Sequence, residues 1–180
     1  MQLPNLKSCT EEELWHFVAY HFSRETIESV LVGPAAAAVY SKGTCHSATL
    51  NFVAPIGSNL RVENVLGKIG FKKTENEQFQ HPDCPKYLLS FTYGPLAVAE
   101  DSKIKPWIKQ VNGQFIRIYS PTDCIRDRLT NYIQSKAPEC LDQAVRVAKC
   151  QPHDTNRIKS WCLRKNGSVA LQEFTTMIQK

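Results

Sequence analysis

Val30-Leu31-Val32-Gly33-Pro34-Ala35-Ala36-Ala37-Ala38-Val39-Tyr40, followed after a gap by Thr49-Leu50-Asn51-Phe52-Val53, is the stretch on which the fold turns. Ser29 to Val32 is a short apolar run stopped by Gly33-Pro34, the pattern of a buried strand. Ala35 to Tyr40 then reads as a helix. Its consecutive alanines combine high helix propensity with almost no bulk, so it can approach its neighbours very closely. Pro34 suits the first turn, where its missing amide hydrogen costs nothing. From Ala48 to Val53 polar and apolar residues alternate, which puts Leu50 on the opposite face of a strand from Thr49 and Asn51.

Upstream, Thr10 and Glu13 form a capping-box pattern that opens a helix with Leu14, Phe17, Val18 and Phe22 on one face. Downstream, Ser58 can cap a helix carrying Leu60, Val62, Val65, Leu66 and Ile69, and Gly70 ends it. Phe71-Lys72-Lys73 starts another strand. His81 to Pro85 is a turn, Tyr87 to Phe91 a strand, Tyr93-Gly94-Pro95 a break, and Gln114 to Tyr119 a last strand. At Ser120-Pro121-Thr122-Asp123 the pattern changes to a cap, a proline at the first helical position and an acid, and everything beyond is helical in period. Ile125, Leu129, Tyr132 and Ile133 make one stripe; Leu141, Ala144, Val145 and Ala148 make the next. Asp154 caps a third helix through Ile158, Trp161 and Cys162, and Val169 to Ile178 closes the chain. The expected architecture is α+β: a mixed sheet with flanking helices over residues 1–119, then a C-terminal helical bundle over 120–180.

With 180 residues, 42% of them hydrophobic, the chain can bury a core without covalent staples. Its seven cysteines form an odd set with no CxxC pair, as expected of reduced thiols in a cytoplasmic protein. No apolar run is long enough to span a membrane, and the first residues carry acids where an export signal needs a basic start. Residues 1–116 hold 11 Lys/Arg against 11 Asp/Glu, and residues 117–180 hold 11 against 6, so the excess of +5 lies at the back. Lys149, Arg157, Lys159, Arg164 and Lys165 could line a basic rim for nucleic acid or form an ordinary solvated surface.

The order of these pieces resembles the polymerase-beta-like nucleotidyltransferase superfamily, in particular its small bacterial members. Those read glycine-glycine, a small-residue helix ending in tyrosine, then Asp-Leu-Asp-Phe-Val. Further similar stretches are Leu66-Gly67-Lys68-Ile69-Gly70-Phe71, Phe79-Gln80-His81-Pro82-Asp83, Phe91 to Val98, and above all Pro121-Thr122-Asp123-Cys124-Ile125-Arg126-Asp127-Arg128-Leu129. Together they cover roughly residues 29–175. The resemblance implies a nucleotide cleft at Gly33, Pro34 and Lys42. It also implies two strand carboxylates, with a third on the neighbouring strand, that hold Mg²⁺ against a nucleoside triphosphate. Proteins of this kind are often linked to toxin–antitoxin or phage-defence systems, so a partner protein, an RNA or a retained nucleotide is the implied ligand class.

At each of those points the sequence departs from the pattern. The three acid positions fall at Thr49, Asn51 and Ser90, and the second glycine is Pro34, which has no amide hydrogen for a phosphate. A pair of unit charges 4 Å apart is worth about 4 kcal/mol at an effective dielectric of 20, and twice that for a divalent ion. Losing the carboxylates therefore removes most of the attraction for Mg²⁺. The expectation is a binding module with no catalytic residue, no metal and no cofactor. The competing reading is an active Mg²⁺-dependent nucleotidyltransferase served by displaced acids, for which Asp83, Glu100 and Asp101 are the candidates. Arg126 and Arg128 either contact phosphate or RNA, or join Asp127 in a salt bridge between the helical part and the front. Cys45-His46 with His81 and Cys84 offers zinc-type ligands at spacings that match no finger or ribbon, and His16 and His21 are five apart rather than the four of a helical metal pair.

Overall fold

The Thr10–Glu13 capping box forms in both directions, the Glu13 amide donating to Thr10 Oγ1 at 3.2 Å and the Thr10 amide to Glu13 Oε2 at 2.8 Å. It opens α1 (Glu11–Arg24), whose apolar face of Leu14, Phe17, Val18 and Phe22 is buried as the spacing requires. The structure, a computed structural model, describes residues 4–179. Six more helices follow among them: α2 (Gly33–Tyr40), α3 (Asn59–Lys68), α4 (Pro121–Ser135), α5 (Pro138–Cys150), α6 (Thr155–Arg164) and α7 (Ser168–Gln179). The strands are β1 (Val30–Val32), β2 (Thr49–Ala54), β3 (Lys72–Lys73), β4 (Phe79–His81), β5 (Cys84–Tyr93), β6 (Trp107–Val111) and β7 (Gln114–Ile118). They form one mixed sheet in the order β3-β4-β5-β2-β1-β7-β6, with β1–β7 and β2–β5 parallel and the other pairs antiparallel.

This is the α+β arrangement the sequence predicts, with two additions. Phe79–His81 is a strand rather than a prelude to the turn, and Trp107–Val111 is an edge strand where none was expected. The strand around Tyr87 also runs longer, from Cys84 to Tyr93. Ser58 precedes α3 as expected but makes no side-chain cap; its hydroxyl donates to Pro55 O at 2.6 Å instead.

The alanines of α2 explain how front and back meet. Ala35, Ala36 and Ala37 have no exposed surface and Ala38 has 4%, because α2 lies between the sheet and helices α4 and α5. One hydrophobic core runs from Leu14 of α1 through Leu31, Leu50 and Leu89 of the sheet to Trp161 and Phe174 of the C-terminal helices. The all-helical region therefore begins where the sequence changes character, while the core continues across that point.

A buried ion cluster supplies a second tie. Segment 94–106 must pass β2, β1 and β7 to carry the chain from β5 to β6, and Arg126 of α4 holds it through Asp101. The same guanidinium donates to Asp123 Oδ1 at 2.6 Å and lies 4.2 Å over the Trp161 ring. Arg157 reaches Asp123 Oδ1 at 3.1 Å, and Ser120 Oγ donates to Asp123 Oδ2 at 2.6 Å. Arg126 is 1% exposed, so its charge depends on these partners rather than on water.

Asp123→Ala leaves a desolvated guanidinium short of one of its two anions and should cost about 3–5 kcal/mol in urea denaturation. Asp101 gives a pH signature. Its hydrogen bond from Arg126 holds the carboxyl below the usual carboxylate range, so the stability it contributes is present above its unfolded pKa of about 3.9 and is lost as pH falls through the lower folded value. Asp101→Asn should therefore flatten the loss of stability as pH falls below about 4, measured by denaturant midpoints from about pH 5 downward.

Candidate functional site

Parallel pairing of β2 with β5 sets Asn51 beside Ser90 and Thr49 beside Leu88. Alternation along the pleat sends Leu50, Phe52 and Leu89 into the core, where Phe22 of α1 meets Phe52 and Phe91 edge-on. Thr49, Asn51 and Ser90 are consequently left half-buried on the other face. Val32, at the end of β1, pairs with Asn51 and delivers the chain to Gly33 beside it. The three acid positions of the resembled pattern thus share one sheet face, at the end of β1 where α2 begins.

Gly33 has φ +67°, the left-handed region that glycine adopts without strain. A Cβ there would lie 3.6 Å from Asn51 Nδ2 and 3.6 Å from Arg128 Nη2. The glycine turn, the strand amide and a guanidinium from α4 therefore converge on one small volume at the start of α2. Arg128 is 7% exposed. Its Nε donates to Asp127 Oδ2 at 2.9 Å, Nη2 donates to the same oxygen, and Nη1 reaches Gln143 Oε1 at 3.4 Å. Asn51 Nδ2 donates to Thr49 O at 3.3 Å. Beyond Pro34, which brings no donor, the amides of the first turn of α2 carry the positive end of the helix dipole.

The remaining candidates go elsewhere. Arg126 is absorbed by Asp101, Asp123 and Trp161, so the salt bridge between helical part and front exists, with Asp101 rather than Asp127 as its partner across the junction. Lys42 is exposed in the turn at the far end of α2, an eight-residue helix of about 12 Å away from Gly33. Asp83 sits in the turn between β4 and β5 and pairs with Lys7 at 3.9 Å, about 20 Å of strand from Ser90. Glu100 bonds Lys165, and Asp101 bonds Arg126. The Cys and His residues also part company: Cys84 meets Cys9, His46 meets Glu11 at 3.1 Å, and His81 packs against Gly70 and Phe71. Among the described residues no group of three or more His, Cys, Asp or Glu is disposed to hold a metal ion. Of the C-terminal cations, Arg157 and Lys165 are spent on Asp123 and Glu100, and Arg164 lies over the Trp161 ring.

The donor set at the three strand positions is a hydroxyl, an amide and a hydroxyl, and the charge nearest the glycine turn is a guanidinium. Mg²⁺ prefers anionic oxygen, and none of these three side chains supplies it, while the one nearby carboxylate, Asp127, is bonded to Arg128; the residues do not fit the metal. Tyr119, which follows β7, is buried, and desolvation with the nearby charge of Asp127 pushes its hydroxyl pKa up, so it stays a neutral phenol donating to Ala97 O. Further along the same face Val30, Val53, Arg117 and Ile108, roofed by Leu96 and Ile104 of segment 94–106, line a groove of about 530 Å³. Asp127 and Gln143 are the site residues that strand patterns alone do not reveal. Asp127 lies inside the Pro121–Leu129 motif, whereas Gln143 comes from the next helix and meets Arg128 only in space.

No protein-family model matches the sequence, and no curated protein matches it either. Solved structures do. An antigenic nucleotidyltransferase-like protein from Paracoccidioides brasiliensis superposes with a TM-score of 0.60 over 93% of this chain and 92% of that one, at 12% identity. ANT(2'')-Ia in complex with adenylyl-2''-tobramycin gives 0.57 over 87% and 97%, at 12% identity. The solution structure of ANT(2'')-Ia gives 0.56 over 91% and 95%, at 11% identity. The chain therefore has a nucleotidyltransferase-like fold, and at these identities the likeness establishes the fold alone.

Gly33→Ala tests the geometry of the turn. The methyl group has room at 3.6 Å from its nearest neighbours, so the expected cost is that of a left-handed backbone, about 1–2 kcal/mol, read as a lowered denaturant midpoint with an unchanged slope.

Proposed function

We infer that the chain is a non-catalytic binding module on a nucleotidyltransferase-like fold, which takes a phosphorylated ligand without a metal ion. The observation that carries this reading is the position of Arg128, beside Gly33 and Asn51 at the start of α2, where the related enzymes' pattern calls for carboxylates and a divalent cation. A guanidinium keeps further N–H donors for a phosphate beyond those it gives to Asp127 and Gln143, and the positive end of the α2 dipole adds a field of the same sign. Asp127 holds the guanidinium and keeps it from being an unpaired buried charge. Thr49, Asn51 and Ser90 supply neutral polar contacts and no base strong enough to activate an acceptor hydroxyl.

A nucleotide is the simplest ligand with this chemistry, and an RNA end or a phosphorylated surface of a partner protein presents the same group. Among the described residues no helix is long and apolar enough to cross a membrane. The toxin–antitoxin or defence setting comes from the sequence resemblance and remains a proposal about context.

Calorimetric titration with ATP tests the reading. Binding should be equal in Mg²⁺ and in EDTA, and Arg128→Gln should weaken it about tenfold or more, the value of one charged hydrogen bond. No labelled nucleotide should transfer to RNA or protein in Mg²⁺ or Mn²⁺. Binding that requires the metal, or transfer that disappears on Asp83→Asn or Glu100→Gln, would establish the active-enzyme reading instead.

A further inference from the structure

The cysteine inventory contains a pair that the sequence could not announce. Cys9, just before α1, and Cys84, the first residue of β5, are seventy-five residues apart in sequence and 3.4 Å apart at their sulfurs. Each is 2% exposed. We propose that Cys9 and Cys84 are a disulfide-forming site that staples the N-terminal segment to the sheet.

The geometry favours closure. A disulfide needs sulfurs at about 2.05 Å, so the present separation must shorten by little more than 1 Å. Cys84 is fixed in a ten-residue strand, but Cys9 lies in an irregular segment ahead of the Thr10 cap, where side-chain rotation and a small backbone adjustment can supply the movement. The rest of that segment already leans on the same region. Lys7 pairs with Asp83 at 3.9 Å, and residues Asn5 to Lys7 form one wall of a cavity of about 510 Å³ whose other walls include His21, His81 and Asp83. The bond would convert a strap held by the Lys7–Asp83 ion pair and packing into a covalent clasp over that cavity.

The step is a two-electron oxidation. With hydrogen peroxide as oxidant, one thiolate attacks a peroxide oxygen to give a sulfenic acid and, after protonation, water. The second thiol then displaces the sulfenic oxygen as a second water and forms the S–S bond. Burial, reinforced by the neighbouring Cys84 sulfur, pushes the Cys9 thiol up to about 12, so little thiolate exists with the strap closed. Oxidation should therefore follow the rate at which the N-terminal segment opens, and the finished bond should be slow to reduce. This chemistry stands apart from Arg128 and Gly33 and holds whether or not a nucleotide binds.

Peptide mapping of the full chain under non-reducing conditions, before and after hydrogen peroxide, tests it. The expected result is one new cross-linked peptide joining Cys9 to Cys84, lighter than the sum of its parts by two hydrogens, with titratable thiols in denaturant falling from seven to five. The oxidised protein should melt higher by on the order of 10 °C, given the long loop that is closed, and the gain should vanish in Cys9→Ser and Cys84→Ser. Seven free thiols after oxidation, or a cross-link joining any other pair, would overturn the proposal. The mapping needs only the unmodified sequence, so it decides the matter even if a serine variant folds poorly.

Discussion

How close α2 can lie to its surroundings governs this structure. Alanine side chains with no exposed surface let a short helix fit between a sheet and two helices, and a larger residue at any of those positions would push the layers apart. That closeness has a chemical consequence. It brings the glycine turn at the head of α2 within van der Waals reach of an amide on β2 and a guanidinium on α4. With α4 seated against α2, Arg128 lies beside the glycine turn, and its charge is answered there by Asp127.

The charges at these positions differ from those of the pattern the sequence resembles: neutral strand residues and an Arg128–Asp127 ion pair stand there. A cluster of strand carboxylates repels itself and attracts a cation, whereas here the charged groups beside the glycine turn are Arg128 and its partner Asp127. Neutral residues at Thr49, Asn51 and Ser90 are consistent with this exchange, since carboxylates there would compete with Asp127 for Arg128. Arg126, two residues earlier, shows the contrasting use of the same side chain. It is sealed beneath the surface, stacked on Trp161, and bound to two aspartates, and it holds the crossing segment to the helices.

Much of the architecture was legible because it is local. The Thr10–Glu13 box, the alternation through β2, the cap at Ser120 and the stripes of α4 to α6 all follow from residues a few positions apart. The register of β2 with β5 sets Ser90 beside Asn51. What escaped depends on distance or exposure. Trp107-Ile108-Lys109-Gln110-Val111 is an exposed edge strand, so burial imposes no alternation on its sequence. The Arg126–Asp101 pair and the Cys9–Cys84 contact join residues that only tertiary structure makes neighbours. Lys42, which the resemblance places at the nucleotide cleft, lies a full helix away from Gly33.

The central claim is that a fixed guanidinium stands in for a divalent cation. A crystal grown with ATP and manganese, with anomalous data collected for the metal, tests it most directly. The account predicts phosphate density against Arg128, with no anomalous peak among Thr49, Asn51 and Ser90. A manganese ion bridging those three residues and the phosphates would contradict it.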